Sequence, residues 1–128
     1  MNVVLDTNVL VSGIINPEGI PAKIQNLVLN GKITLLYDNR IIQEYTDVLS
    51  RRKFGFSLEL ILPLIDFIQN DGVFITAEPI MQPFLDEDDK KFYEVAITGN
   101  ANYLITGNTK HFPKKPIVIT PTGFLSKI

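Results

Sequence analysis

Oxygen-bearing side chains recur in this 128-residue sequence at points where a short apolar segment ends. Asp6–Asn8 follow the apolar segment Asn2–Leu5, and Thr106–Asn108 follow a second segment of the same kind. Carboxylate and amide oxygens are the ligands that hard divalent cations such as Mg²⁺ and Mn²⁺ prefer. These side chains therefore predict chemistry that depends on a divalent metal ion.

Two further acidic positions belong to the same prediction. Glu44 lies one to two turns into a predicted helix, on the margin of its apolar stripe. The acidic run Asp86–Asp89 opens a later helix, on which Asp89 shares the inward face with Phe92, whereas Asp88 lies nearer the edge. Because an inward carboxylate is costly unless a cation or a donor satisfies it, we expect Asp89 to be the better metal ligand of the two.

A purely structural role is open for each of these acidic residues. Asp6 could cap the helix that follows it, since Asp is a preferred N-cap residue. Asp88 and Asp89 stand where acidic side chains interact favourably with the helix dipole. Exposed glutamates such as Glu44 are common on protein surfaces. The metal-site hypothesis therefore depends on all of these segments converging.

Several other kinds of chemistry are excluded by the sequence. There is no cysteine, which rules out disulfides, thiolate metal sites and a cysteine nucleophile. His111 is the only histidine, and we interpret it as a surface or loop-packing residue. That interpretation leaves no Ser-His-Asp triad and no zinc cluster. No glycine-rich phosphate loop is present either.

Composition is typical of one globular domain spanning residues 1–128, with 45% hydrophobic and 20% charged residues. The net charge is −2, so contact with nucleic acid would have to come from local basic clusters, which are more often solvated surface. The candidate clusters are Arg51–Lys53 and the lysines at 110, 114 and 115. No apolar segment could span a membrane and no signal peptide is visible, so we expect a soluble, cytoplasmic protein.

Strand and helix signals alternate along the whole chain. The predicted strands are 2–5, 33–37, 73–76, 103–106 and 117–120, and the predicted helices are 9–15, 21–30, 38–52, 58–68 and 88–99, with a short one after Pro121. Pro63 would kink or break its helix. This alternation predicts an α/β fold in which a central parallel sheet is flanked by helices as a three-layer sandwich. Such sheets bind ligands beyond the carboxyl ends of their strands, where the acidic and amide side chains are expected.

The ordered set of motifs resembles the PIN-domain family of metal-dependent ribonucleases, in particular its VapC-like toxin–antitoxin branch. The matching segments, in the family's order, are Val3–Ser12, Glu44 with Val48-Leu49, Asp86–Ala96 and Tyr103–Asn108. The resemblance implies cleavage of single-stranded RNA with Mg²⁺ or Mn²⁺. It also implies a homodimer and an antitoxin protein as partner.

The resemblance also assigns roles to individual residues. Asp6, Glu44 and Asp89 would form the catalytic and metal-binding core, with Asp88 as a further metal ligand. Side chains near the strand ends could orient those ligands or a water molecule, namely Thr7, Asn8, Thr106 and Asn108. With one or two metal ions held by the carboxylates, the pocket would activate water and stabilise charge on the phosphate.

Asn108 departs from the family pattern, since relatives often carry an aspartate there. The missing charge favours an alternative function, that of a catalytically attenuated module with the same fold that binds RNA or a protein partner. Two other classes with acidic sheet edges fit poorly. A receiver domain requires paired acids after the first strand, and a haloacid-type phosphatase requires an aspartate two residues after its nucleophile. This chain has Asn8 two residues after Asp6.

Overall fold

Five parallel strands form the centre of the protein in a computed structural model that describes all 128 residues. The strands are β1 (Asn2–Leu5), β2 (Thr34–Tyr37), β3 (Val73–Phe74), β4 (Tyr103–Ile105) and β5 (Val118–Ile119). They are ordered β3-β2-β1-β4-β5, and every neighbouring pair is parallel. The chain therefore builds the sheet outward from β1 in both directions.

Six α-helices surround this sheet and complete the predicted α/β sandwich. They are α1 (Thr7–Ile15), α2 (Ile20–Leu29), α3 (Asn39–Leu49), α4 (Leu58–Asp71), α5 (Lys90–Thr98) and α6 (Pro121–Leu125). Single 3-10 turns lie at Arg52–Phe54, Glu87–Asp89 and Thr109–His111. The longest helix, α4, has 14 residues and contains charged side chains, and none of the six is suited to crossing a bilayer.

The core explains why these segments take these structures. The side chains of Val3, Val4 and Leu5 are completely buried, as expected for a strand covered on both faces. On α3, Ile41, Tyr45 and Leu49 are equally buried, at the spacing of one helical face. The three-layer α/β prediction is therefore confirmed.

Several predicted element boundaries were wrong, including the starts of α1 and α5, each of which differs by two residues from the prediction. The third helix ends at Leu49 rather than at residue 52, because its buried stripe ends there and Gly55 then turns the chain with φ of 65°. The third strand stops at Phe74, since only two of its residues pair with β2. Pro63 does not interrupt α4, which runs on to Asp71.

Candidate functional site

The candidate site lies where β1 and β4 end side by side. The register pairs Leu5 with Ile105, and the backbone N–H of Asp6 donates to the carbonyl of Ile105 at 3.0 Å. Asp6 and Thr106 are the next residues on the two strands. Parallel pairing thus brings together two side chains that are 100 positions apart in sequence.

Asp6 is a buried carboxylate, with only 5% of its surface exposed. The hydroxyl of Thr106 donates to its Oδ2 at 2.7 Å, and the same hydroxyl oxygen accepts from the backbone N–H of Asn108 at 3.0 Å. Asp6 stands at the N-cap position of α1, but its side chain makes no capping hydrogen bond. The backbone N–H of Asn8, in the first turn of α1, nevertheless acts to lower the pKa of Asp6, so helix capping accounts for part of the environment of this carboxylate and not for all of it.

Electrostatic interactions connect Asp6 to the other predicted acids. Burial raises the pKa of Asp6, the hydrogen bond from Thr106 offsets part of that rise, and the negative charges of Asp89 and Glu44 add to it. No basic side chain forms an ion pair with Asp6. A cation placed beside Asp6 would consequently be stabilised.

Glu44 is held by α3 on the opposite side of this pocket. Its neighbour Tyr45 is buried and donates its hydroxyl to the carbonyl of Leu5, which anchors α3 to the end of β1. The hydroxyl of Thr7 donates to Oε2 of Glu44, and the Nζ of Lys91 lies 2.7 Å from Oε1. Both carboxylate oxygens of Glu44 are therefore engaged by side chains of the protein itself.

Lys91 was not singled out by the sequence reasoning. Its ammonium also donates to the carbonyl of Asp88, and the side chain is only 13% exposed. Lys91 is the second residue of α5, where a positive charge opposes the helix dipole. That unfavourable position was the available signal that this lysine has a role beyond solvation.

Asp89 and His111 form a second pair at the edge of the pocket. Oδ2 of Asp89 lies 3.1 Å from Nδ1 of His111. Burial raises the pKa of Asp89, the hydrogen bond to His111 lowers it, and the charges of Asp86 and Glu44 raise it. The sequence analysis interpreted His111 as a surface or loop-packing residue and did not predict this contact with Asp89. Its position three residues after Asn108, on the loop that follows β4, was the signal.

The remaining predicted residues lie outside this group. Asp88 is exposed, and its backbone N–H donates to Oδ1 of Asp86 at 3.0 Å, a bond that caps the 3-10 turn before α5. The side chains of Asn8 and Asn108 are exposed as well. The structure thus groups Asp6, Glu44 and Asp89 with the hydroxyls of Thr7 and Thr106, and leaves Asp88 outside.

The oxygen donors of this group match the requirements of a divalent ion only in part. No three acidic or histidine side chains stand close enough to hold an ion by themselves in this arrangement. Asp6 and Asp89 nevertheless offer oxygen donors of the kind that Mg²⁺ and Mn²⁺ prefer, and Mg²⁺ usually keeps several water molecules as ligands. Asp6 and Asp89 therefore suit such an ion as oxygen donors, but they do not form a complete ligand set by themselves.

Fold and site together define an α/β domain with an acidic pocket at the carboxyl ends of the adjacent strands β1 and β4. The PIN-domain family matches this sequence over residues 2–110. The chain therefore belongs to the PIN-domain family, as its motifs predicted. PIN domains have a nuclease fold, and members of the family are generally nucleases that use divalent metal ions.

A curated relative matches most of the chain. The uncharacterized protein MJ1680 of Methanocaldococcus jannaschii is 36% identical over 111 residues, which is 84% of this chain and 71% of the relative. The name of this relative states no activity. The VapC-like branch therefore remains a prediction from the motifs.

Proposed function

We propose that this protein is a metal-dependent endoribonuclease that hydrolyses phosphodiester bonds in single-stranded RNA, with Mg²⁺ or Mn²⁺ as its cofactor. The observation that carries the proposal is the state of Asp6. It is a buried carboxylate at the end of the central strand, it faces two further negative charges, and it has no basic partner. Membership of a nuclease family supports the same reaction class.

Each residue of the pocket has a distinct task in this proposal. Asp6 and Asp89 would hold the ion, and the ion would supply an activated water molecule and neutralise charge on the phosphate. Thr106 fixes the orientation of Asp6 through its hydrogen bond, and His111 does the same for Asp89. Asp88 is exposed and is left out of the proposed ligand set.

Glu44 and Lys91 complete the pocket from the other side. Glu44 adds negative charge beside Asp6 and holds the ammonium of Lys91 in place. In this proposal that ammonium would contact a phosphate oxygen of the bound RNA, where a fixed positive charge would stabilise the charge that develops during hydrolysis. Glu44 is thus a positioning residue in this proposal as much as a member of the acidic core.

The biological role that we propose is that of a cytoplasmic toxin in a toxin–antitoxin pair, acting as a homodimer. Motif resemblance to the VapC-like branch supports this role. An apolar surface on α4 is available for a protein partner, because Leu58 and Leu62 lie one helical turn apart and are 62% and 53% exposed. Arrest of bacterial growth on expression, relieved by a co-expressed partner protein, would test it.

A second function has a specific observation in its favour. Asn108 removes one anionic side chain from the end of β4, and both oxygens of Glu44 are already engaged by Thr7 and Lys91. Fewer free carboxylates favour a module that binds RNA or a protein partner without cleaving RNA efficiently. Restoring the charge with Asn108→Asp distinguishes the two functions.

Cleavage of several labelled single-stranded RNAs by the purified protein provides the test. We expect cleavage in Mn²⁺ or Mg²⁺ and none with a chelator. Asp89→Asn should abolish cleavage, whereas Asp66→Asn, which removes an exposed charge on α4, should leave it unchanged. If the wild-type protein never cleaves and Asn108→Asp does, the attenuated module is the correct reading.

A further inference from the structure

Charge is distributed very unevenly along this chain. All 14 acidic residues lie within the first 94 positions, whereas residues 95–128 contain four lysines and no Asp or Glu. This acid-free segment supplies β4, β5 and the loop between them. The surface that this segment forms, which we call the basic side, therefore receives only positive charges from the segment's own side chains, and it adjoins the strand end that carries the candidate site.

A groove with a volume of about 950 Å³ runs along this basic side. It is formed by the loop between β4 and β5 together with the end of β5, and no acidic side chain lines it. Three of its lysines are exposed and form no ion pair with any carboxylate, namely Lys110, Lys114 and Lys115. We refer to this groove, which is lined by Lys110, Lys114 and Lys115, as the basic groove.

In the other charged groove of the molecule, most of the positive side chains are paired with carboxylates. It lies between α3 and α5 and has a volume of about 560 Å³. There Arg40 pairs with Glu94, Lys90 with Glu87, and Lys91 with Glu44, and acidic side chains line much of its wall. Only the basic groove presents several positive charges that the protein itself leaves uncompensated.

The basic groove is connected directly to the candidate site. Lys110 and His111 are consecutive residues of one 3-10 turn, in which the rise is about 2 Å per residue. Lys110 lines the groove, while His111 contacts Asp89. A chain of phosphates that lies in the groove would therefore pass close to the acidic pocket.

We propose that the basic groove binds the backbone phosphates of single-stranded RNA next to the bond that is cleaved. This proposal rests on the proposed function, because it assigns part of the same substrate to a second surface. The three lysines are distributed over six positions on an open surface, which suits successive phosphates of a polymer better than one small anion. The apolar wall formed by Pro113 and Pro116 leaves room for the sugars.

Binding of a labelled single-stranded RNA in a chelator, where no cleavage occurs, tests the proposal over a range of salt concentrations. Replacing Lys110, Lys114 and Lys115 together by Gln should weaken binding at low salt by at least tenfold. The slope of log K against log salt should become shallower by about 2, since each phosphate contact on a single strand contributes about 0.7.

Two control variants make this measurement specific. Gln at Lys23, Lys32 and Lys127 removes three exposed charges that form no ion pair and line neither groove, and it should change affinity less than twofold. Arg at the three groove positions keeps the charge and should keep the salt slope. Identical salt slopes for the groove variant and the elsewhere variant would overturn the proposal.

The ligand class and the catalytic proposal can be separated in the same experiment. Polyglutamate serves as an acidic polypeptide probe, and binding of RNA and polyglutamate with equal affinity would show unselective attraction and refute an RNA site. If the wild type shows no metal-dependent cleavage but the groove lysines still control RNA binding, the proposed enzymatic function fails and the groove proposal stands. If cleavage occurs, the groove variant should raise KM and leave kcat within a factor of two or three.

Discussion

Arg40 is the residue whose replacement should reveal how the two helices of the site are held together. Its guanidinium lies 2.7 Å from Asp38 and 2.8 Å from Glu94, so it joins the start of α3 to α5. Glu94 is buried, and it also accepts a hydrogen bond from the backbone N–H of Ile80 at 2.8 Å. Arg40→Met would leave this buried carboxylate without its cation.

The size of the effect follows from the exposure of the partners. Breaking a fully buried ion pair costs about 3–5 kcal/mol, whereas an exposed pair contributes about 1 kcal/mol or less. The Arg40 side chain is half exposed while that of Glu94 is 7% exposed, so we expect a loss of about 2 kcal/mol at pH 7. For a domain of this length that loss should lower Tm by roughly 6–10 °C.

The stabilisation that the contact between Arg40 and Glu94 provides should depend on pH. Burial acts to raise the pKa of Glu94, but the hydrogen bonds from Arg40 and Ile80 outweigh it and the pKa is lowered overall. A lowered carboxyl pKa stabilises the fold above the pKa of the unfolded chain, about 4.3 for Glu, and this contribution is lost as the pH falls through the folded value. The difference between wild type and Arg40→Met should therefore shrink below pH 4.

Urea unfolding at pH 7 and at pH 3.5 measures both effects, with Arg52→Met as a control that removes one exposed charge without an ion-pair partner. A loss below 0.5 kcal/mol at pH 7, or an equal loss at the two pH values, would refute the reasoning. Because α3 carries Glu44 and α5 carries Lys91, the Arg40 variant should also reduce RNA cleavage.

Further predictions concern the pocket itself. Millimolar Mn²⁺ should raise Tm, since a ligand at 100 times its Kd stabilises by about 2.7 kcal/mol, and Asp6→Asn should remove most of this rise in a metal titration followed by calorimetry. Lys91→Met should reduce kcat at least tenfold and Lys91→Arg should restore part of it in a steady-state cleavage assay, whereas equal kcat values for Met and Arg would argue against contact with the phosphate. Asn108→Asp should tighten Mn²⁺ binding measured calorimetrically, and unchanged affinity would place residue 108 outside the metal site.

Local sequence patterns were sufficient to predict the architecture. Asn2–Leu5 could be assigned to a buried strand because β-branched and apolar residues follow one another without a polar interruption. The position of Asp6 then followed from where that strand ends. The inward placement of Asp89 was likewise predicted from helical periodicity, although α5 proper begins one residue later, at Lys90.

The boundaries that were wrong depended on contacts with distant parts of the chain. Basic residues after Leu49 have good helix propensity, yet the helix stops because no further apolar side chain on that face reaches the core. Val73–Phe74 form a strand only as far as β2 offers pairing partners. Helix or strand propensity depends only on the residues of the segment. The residue at which a helix or strand ends depends on the core and on the neighbouring strand that pack against it.

The partner of each charged or hydroxyl side chain was decided by the tertiary structure alone. Sequence spacing placed four segments with oxygen-bearing side chains near one edge of the sheet, but it could not show that Thr7 and Lys91 occupy both oxygens of Glu44. Nor could it show that His111, 22 positions from Asp89, faces that carboxylate. Parallel strand register brings these segments to one edge, and contacts at distances near 3 Å depend on the exact paths of the loops. Those paths are set by packing across the whole domain, which no local pattern encodes.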